Sequence, residues 1–181
     1  FGFRTGLLTL DSIERLVSSV ISSFENHNYS LAIFCDLSKA FDCVSHEALI
    51  AKLRFYGIRC TELKFLSSYL NGNSQVVCRI GKFSQNCRIH TGVPQGSVLG
   101  PLLFLISIID LSFNLTSNSV LYANDCTLYA EDNDLNNLKI RMNDYYQEAK
   151  DWFDVNGFKR NVSKTQKLLF TLRHVLENDY S

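Results

Sequence analysis

The stretch Tyr122-Ala123-Asn124-Asp125 constrains the fold more than any other part of this chain. It lies between two short apolar runs, residues 119–123 and 126–130. Runs this short bury their side chains by pairing, so the pattern predicts a β-hairpin that lifts polar and acidic groups to its tip. A third apolar run, residues 31–35, ends at another carboxylate, Asp36.

The 181 residues are enough for a sizeable core in one domain, with room for two lobes. Hydrophobic residues make up 46% and charged residues 20%, the balance of an ordinary globular chain. No apolar run reaches the roughly 18 residues of a membrane-spanning helix. The first residues, Phe1-Gly2-Phe3-Arg4, lack the basic and apolar regions of a signal peptide. The expectation is an intracellular protein, nuclear or cytoplasmic and not secreted. A starting Met is missing too, which reads as a fragment. The six cysteines form no CxxC pair and no metal-type spacing, consistent with reduced thiols.

Net charge is zero but unevenly spread. Between Lys52 and His90 stand Lys52, Arg54, Arg59, Lys64, Arg79, Lys82 and Arg88, against Glu62 alone. A basic lobe of this kind suits a phosphate backbone, and it also suits a merely solvated surface.

Ile13, Leu16, Val17, Val20, Ile21 and Phe24 share one face of a helix over residues 11–25, with Asp11 and Glu14 resembling a capping box. Ser45 caps a helix that stops at Gly57, and Thr61 caps another closed by Asn71-Gly72. Residues 74–80 and 83–90 read as a hairpin around Gly81-Lys82. A loop with Gly92, Gly96 and Gly100 leads into an apolar helix near residues 102–111. A long helix carries Leu135, Leu138, Met142, Tyr145, Ala149, Trp152 and Phe153 and ends at Gly157; a strand follows at 167–172. Helices mixed with antiparallel hairpins give an α+β fold.

A carboxylate at a strand end, such as Asp36, holds Mg²⁺ with help from a nearby backbone carbonyl, or simply caps the following turn. Asp42 reads as a cap. In the glycine-rich loop, Gln95 offers both a donor and an acceptor to a base or sugar. Carboxylates on neighbouring strand tips suit two-metal phosphoryl transfer.

Three blocks carry a resemblance. They are Phe34-Cys35-Asp36-Leu37-Ser38-Lys39-Ala40-Phe41-Asp42, then Gly92-Val93-Pro94-Gln95-Gly96-Ser97-Val98-Leu99-Gly100-Pro101-Leu102-Leu103-Phe104, then Tyr122-Ala123-Asn124-Asp125. In this order and spacing they resemble successive blocks of the reverse transcriptase domain of non-LTR retrotransposons, the LINE-type, jockey-like elements. Gly2-Phe3-Arg4-Thr5-Gly6 resembles the opening block, and Trp152, Asn156 and Asn161-Val162-Ser163-Lys164-Thr165 the one after the hairpin.

The resemblance implies a right-hand polymerase palm, a ferredoxin-like antiparallel sheet with packed helices, plus partial fingers and no thumb. Fingers would take residues 1–30 and 49–90, the palm 31–48 and 91–172, and a tail 173–181. Asp36, Asn124 and Asp125 would form the catalytic metal site, with Leu37 lending its carbonyl. Phe41 would be the steric gate that excludes a ribose 2′-hydroxyl. Gln95 and Gly96 would border the nascent base pair, and Lys164 would lie near the triphosphate. Lys52, Arg54, Arg79 and Lys82 would flank nucleic acid. The implied cofactor is a pair of Mg²⁺ ions, with Mn²⁺ as a substitute. The implied partners are an RNA template, a DNA primer and dNTPs, with the polyprotein's thumb and endonuclease lying outside this stretch.

The hairpin tip departs from the family, which has two aspartates where this chain has Asn124-Asp125. Losing a unit charge about 4 Å from a cation costs roughly 4 kcal/mol at an effective dielectric near 20. As a barrier, that is a rate loss of about 10³-fold. Asn is nearly isosteric with Asp, so the expectation is an intact fold with weakened polymerisation. The alternative is a non-catalytic nucleic-acid-binding remnant or a pseudogene product of a retrotransposon. A phosphoacceptor domain built on Asp36 would need alternating parallel βαβ units, which this pattern lacks.

Overall fold

The computed structural model describes residues 9–122 and 124–173. The opening block 2–6, Ala123 and the tail beyond residue 173 lie outside the described residues. The chain divides into two compact units, Phe1–Ser38 with Asp110–Ser181, and Lys39–Ile109.

The first unit is built on a five-stranded antiparallel sheet. Helix α1 (Thr9–Glu25) leads into β1 (Tyr29–Ser38), the central strand. After the other unit come α6 (Leu111–Asn114), the hairpin strands β6 (Asn118–Tyr122) and β7 (Asp125–Asp132), the long α7 (Leu135–Val155), β8 (Lys159–Arg160) and β9 (Gln166–Phe170). Strand order is β6-β7-β1-β8, with β9 pairing β1 beyond β8.

Strand β1 reads as a continuous apolar run because both of its faces are covered. Ala32 joins Val120 and Tyr129 in a cluster that meets Leu16 of α1 and Phe34. The alternate side chains Leu31, Ile33, Cys35 and Leu37 are buried as well. Helix α7 packs on β1 and β7, burying Leu138, Met142, Ala149 and Phe153. Its start is fixed by Asp134, whose carboxylate accepts from the Asn137 amide at 2.9 Å.

Helix α1 turns a different face inward from the one its apolar spacing predicts. Ser12, Val20 and Ser23 are buried, while Ile13, Val17 and Ile21 stay about half exposed. Two small serines are therefore among the residues this helix buries, and the bulkier stripe is left outside. Asp11 lies inside the first turn, so the expected capping-box start is displaced.

The second unit holds α2 (Ala40–Cys43), α3 (His46–Phe55), α4 (Cys60–Asn71), four two-residue strands and α5 (Leu99–Ile108). Ser45 caps α3 as expected, its hydroxyl accepting from the Ala48 amide. Thr61 does not cap α4: the N-cap is Arg59, without a side-chain bond. The expected hairpin at 74–90 is split, with β2 (Ser74–Gln75) pairing β5 (Cys87–Arg88) and β3 (Cys78–Arg79) pairing β4 (Lys82–Phe83). Its turn is Ile80-Gly81, both left-handed at φ 49° and 72°, one residue earlier than expected. Helix α5 begins at Leu99, earlier than the glycine and proline suggest. Gly100 and Pro101 fall in its first turn, where a missing N–H breaks no helical bond. None of the described helices is long and apolar enough to cross a membrane.

Candidate metal and nucleotide site

In the first unit, the register sets Asp36 of β1 directly opposite Asp125 of β7. The Asn161 amide donates to the Asp36 carbonyl at 2.8 Å, so that carbonyl faces β8 and away from β7. By the alternation of antiparallel ladders, Asp36 and Asp125 then form a non-hydrogen-bonded pair, the kind whose side chains lie closest. The same alternation turns the Leu37 carbonyl toward the β7 side.

Burial first, and then the Asp36 charge, push the Asp125 carboxyl above its ordinary value, while Lys164 pulls it down. The residue as a whole is exposed, so its carboxyl loses only part of its water. Asn124 stands at the hairpin turn, and its amide nitrogen lies 3.5 Å from Asp36 Oδ1. Lys164, the last residue of a 3-10 turn at Val162–Lys164, puts Nζ at 3.5 Å from the other oxygen, Oδ2. Asp36, Asn124, Asp125 and Lys164 are therefore brought together, with Leu37 next to them in the chain.

This donor set fits a hard divalent cation. Two carboxylates crowd like charge at one strand end, a carbonyl turns the same way, and rotating the Asn124 amide would present an oxygen. The charge available is smaller than in an all-aspartate site, because Asn124 contributes none and Lys164 offsets part of what remains. An apolar cavity of about 200 Å³ lies beside Asp125, lined by Ile13, Leu16, Phe34, Val120 and Tyr122.

In the second unit, the Phe41 ring stacks on the fully buried Phe104 at 4.3 Å and is thereby fixed in direction. The loop carrying Gln95 is laced to the segment carrying Phe41. The Gly92 amide donates to Val44 O at 2.7 Å and the Val93 amide to Phe41 O at 2.8 Å. Gln95 Nε2 donates to Asp42 Oδ1 at 3.0 Å. Gly92 has φ +93°, and a Cβ there would meet the Asp42 Cα at 2.9 Å. Gly96 also has positive φ, with open space where a Cβ would stand.

Sequence reasoning missed two contributors. Asp42, read as a cap, holds the amide of Gln95. His46 is buried, and its Nε2 bonds Gly92 O at 2.7 Å, tying the start of α3 to the loop. Neither long-range contact leaves a local sequence signal.

The basic residues divide by exposure. Lys52 donates to Ser107 O at 2.7 Å near the end of α5, so its charge serves that helix terminus. Arg54 is exposed on α3, and Arg79 and Lys82 are exposed and directly opposite across the β3–β4 turn. A polar cavity of about 1010 Å³ is lined by Lys39, Asp42, Gln75, Arg88, His90 and Gln95.

Five antiparallel strands backed by long helices, with an acidic pair at the end of the central strand, define the palm of a nucleic-acid polymerase. The backbone is similar to telomerase from Candida albicans in complex with a fragment of telomeric RNA: TM-score 0.63, 14% identity, 89% of this chain and 31% of that one. Apo telomerase from Candida tropicalis gives TM-score 0.62 and 14% identity over 90% of this chain and 35% of that one. At such identity the fold alone is shared, and it is the expected α+β palm with part of the fingers.

Residues 1–179 match the family model described as reverse transcriptase (RNA-dependent DNA polymerase), and the chain belongs to that family. It is 31% identical to a probable RNA-directed DNA polymerase from transposon BS of Drosophila melanogaster, over 96% of this chain and 20% of the relative. The RNA-directed DNA polymerase from mobile element jockey of Drosophila funebris is 28% identical over 94% of this chain and 19% of the relative. The expected likeness to jockey-like elements holds. The chain spans about a fifth of the length of these relatives.

Proposed function

We propose that this domain is the palm and partial fingers of an RNA-directed DNA polymerase that adds dNTPs to a DNA primer on an RNA template. One observation carries the reading: Asp36 and Asp125 are paired side by side at the end of the central strands. Asp36, Asp125, the Leu37 carbonyl and an Asn124 amide oxygen would hold Mg²⁺, or Mn²⁺ in its place. A divalent ion bound there supplies activation of the primer 3′-hydroxyl and neutralisation of the leaving pyrophosphate.

The chain's own residues do the rest. Phe41, braced by Phe104, presents a ring edge that a ribose 2′-hydroxyl would strike, favouring deoxynucleotides. Gln95, held by Asp42, and Gly96, without a side chain, border the new base pair. Lys164 offers its ammonium to the triphosphate. Arg54, Arg79 and Lys82 contact phosphates of the nucleic acid, whereas Lys52 supports α5. Fingers comprise residues 1–30 and 49–90, the palm 31–48 and 91–172, and a tail 173–181.

Asn124 weakens the activity by about 10³-fold, the rate equivalent of one missing charge near a cation. Primer extension on an RNA template tests this. Asn124→Asp should raise the rate steeply and Asp36→Ala should abolish it; a robust rate in the unmodified chain would show that Asn124 matters little. A non-catalytic nucleic-acid-binding role is favoured by one feature, the two N–H donors that face Asp36. It predicts binding to primer–template with no extension even after the reversion.

A further inference from the structure

We propose that Lys164 is the resident counter-cation of the acidic site, so that a divalent ion enters only by displacing it from Asp36. The inference rests on the reverse transcriptase reading of that site. In this chain both Asp36 oxygens face nitrogen donors. Asn124 Nδ2 lies 3.5 Å from Oδ1, and Lys164 Nζ lies 3.5 Å from Oδ2. The ammonium also acts on the second carboxylate, Asp125, through space.

The charges make the exchange unequal. Asp36 and Asp125 bring two negative charges and Lys164 returns one positive charge. With an aspartate at position 124 the sum would stay strongly negative; with Asn124 one lysine offsets half of it. A cation arriving at Asp36 therefore meets a site already partly neutralised and a like charge standing on one of its oxygens.

The lysine can leave. Its side chain is 68% exposed, against 23% for Asp36, so its released ammonium is solvated at once. A contact of 3.5 Å between a half-open pair is weak enough to exchange. Lys164 ends a short 3-10 turn, which the Lys164 and Thr165 amides close by donating to Asn161 O. Asn161 in turn donates to the Asp36 carbonyl at 2.8 Å, so the lysine is tethered beside the carboxylate whether or not it touches it.

The test is Mn²⁺ binding, followed by electron paramagnetic resonance or calorimetry. Lys164→Met should bind Mn²⁺ about tenfold more tightly than the unmodified chain, given partial screening of an exposed charge. Lys164→Arg should leave the affinity within about twofold, and Lys164→Met should have no effect when Asp36 is already alanine. Equal affinity in Lys164→Met and the unmodified chain overturns the proposal, as does an absence of saturable Mn²⁺ binding in Lys164→Met. In the unmodified chain, the Lys164 side-chain resonance should shift during a Mg²⁺ titration; a stationary resonance at saturation also overturns it. These readouts are independent of primer extension. The lysine can prove irrelevant while Asn124→Asp still polymerises, and it can act as described in a chain that never does.

Discussion

Restoring an aspartate at the hairpin tip should make the stability of this domain depend on divalent cations. The new carboxylate of Asn124→Asp would stand where the amide now lies, about 3.5 Å from Asp36 Oδ1. At an effective dielectric near 20, two unit charges at that separation repel by about 5 kcal/mol. The Asp36 side chain is 23% exposed and Lys164 stands on its other oxygen. Water and that ammonium reduce the penalty to roughly 2 kcal/mol. For a chain of this length that corresponds to about 4–8 °C in Tm. Asp125, directly opposite Asp36, is a further negative charge on the same cluster.

The assay is thermal unfolding of both chains in EDTA and across a Mg²⁺ titration. In EDTA the variant should melt several degrees below the unmodified chain, and the gap should narrow with salt as screening grows. Mg²⁺ should close it, because an ion that binds only the folded state stabilises by about 2.7 kcal/mol at a hundred times its Kd. The unmodified chain should gain much less. If the variant melts within about a degree of the parent in EDTA, position 124 does not face Asp36 closely enough to matter. If it is destabilised but Mg²⁺ lifts both chains equally, the acidic cluster is not a cation site.

Three further outcomes are expected. Gly92→Ala should lower the unfolding free energy, measured by chemical denaturation, by about 2 kcal/mol or more, since a left-handed φ and a close approach to Asp42 both oppose a Cβ; a neutral effect would mean the loop is not laced to residues 41–44. Asp125→Asn should stabilise the chain at pH 7 without divalent ions. The carboxyl's raised pKa means the folded state pays to ionise it above that pKa, a cost that fades as the pH falls and is absent below its ordinary value near 3.8, so the gain should shrink in acid. Thiol labelling of the native chain at pH 8 should modify Cys60, Cys78 and Cys87 and spare Cys35 and Cys126. The first three are exposed, and burial lifts the Cys35 thiol to about 11 and Cys126 well above its usual range. Rapid labelling of Cys35 would contradict a closed β1–β7 ladder.

The fold was legible wherever one local pattern had one structural solution. The run ending at Asp36 reads as a buried strand, because a strand covered on both faces uses unbroken apolar residues, and both faces of β1 are covered. The hairpin at 119–130 and the long α7 follow from period and turn chemistry in the same way. The misplacements arose where two solutions fit one pattern. The apolar spacing of α1 allows either of two neighbouring faces to turn inward, and the face that does so carries Ser12 and Ser23, which no apolar count would select. Pro101 reads as a helix breaker until its place in the first turn of α5 is known.

The site was legible as a set of residue types and illegible as a set of contacts. Asp36 and Asp125 are 89 residues apart in the sequence, and only the antiparallel register makes them a non-hydrogen-bonded pair. Spacing shows that Asn124 has no charge. It does not show that the amide nitrogen faces Asp36, nor that Lys164 reaches the other oxygen of the same carboxylate. That difference bears on mechanism. An isolated loss of charge leaves an open site that higher cation concentrations would refill by mass action. A carboxylate faced by two N–H donors at 3.5 Å is already occupied by weak partners, so added cation must compete with the protein's own groups. Raising Mn²⁺ would then recover less activity than removing Lys164 or restoring the aspartate. Comparing those three interventions in one primer-extension series separates a weakened metal site from one the chain has closed over.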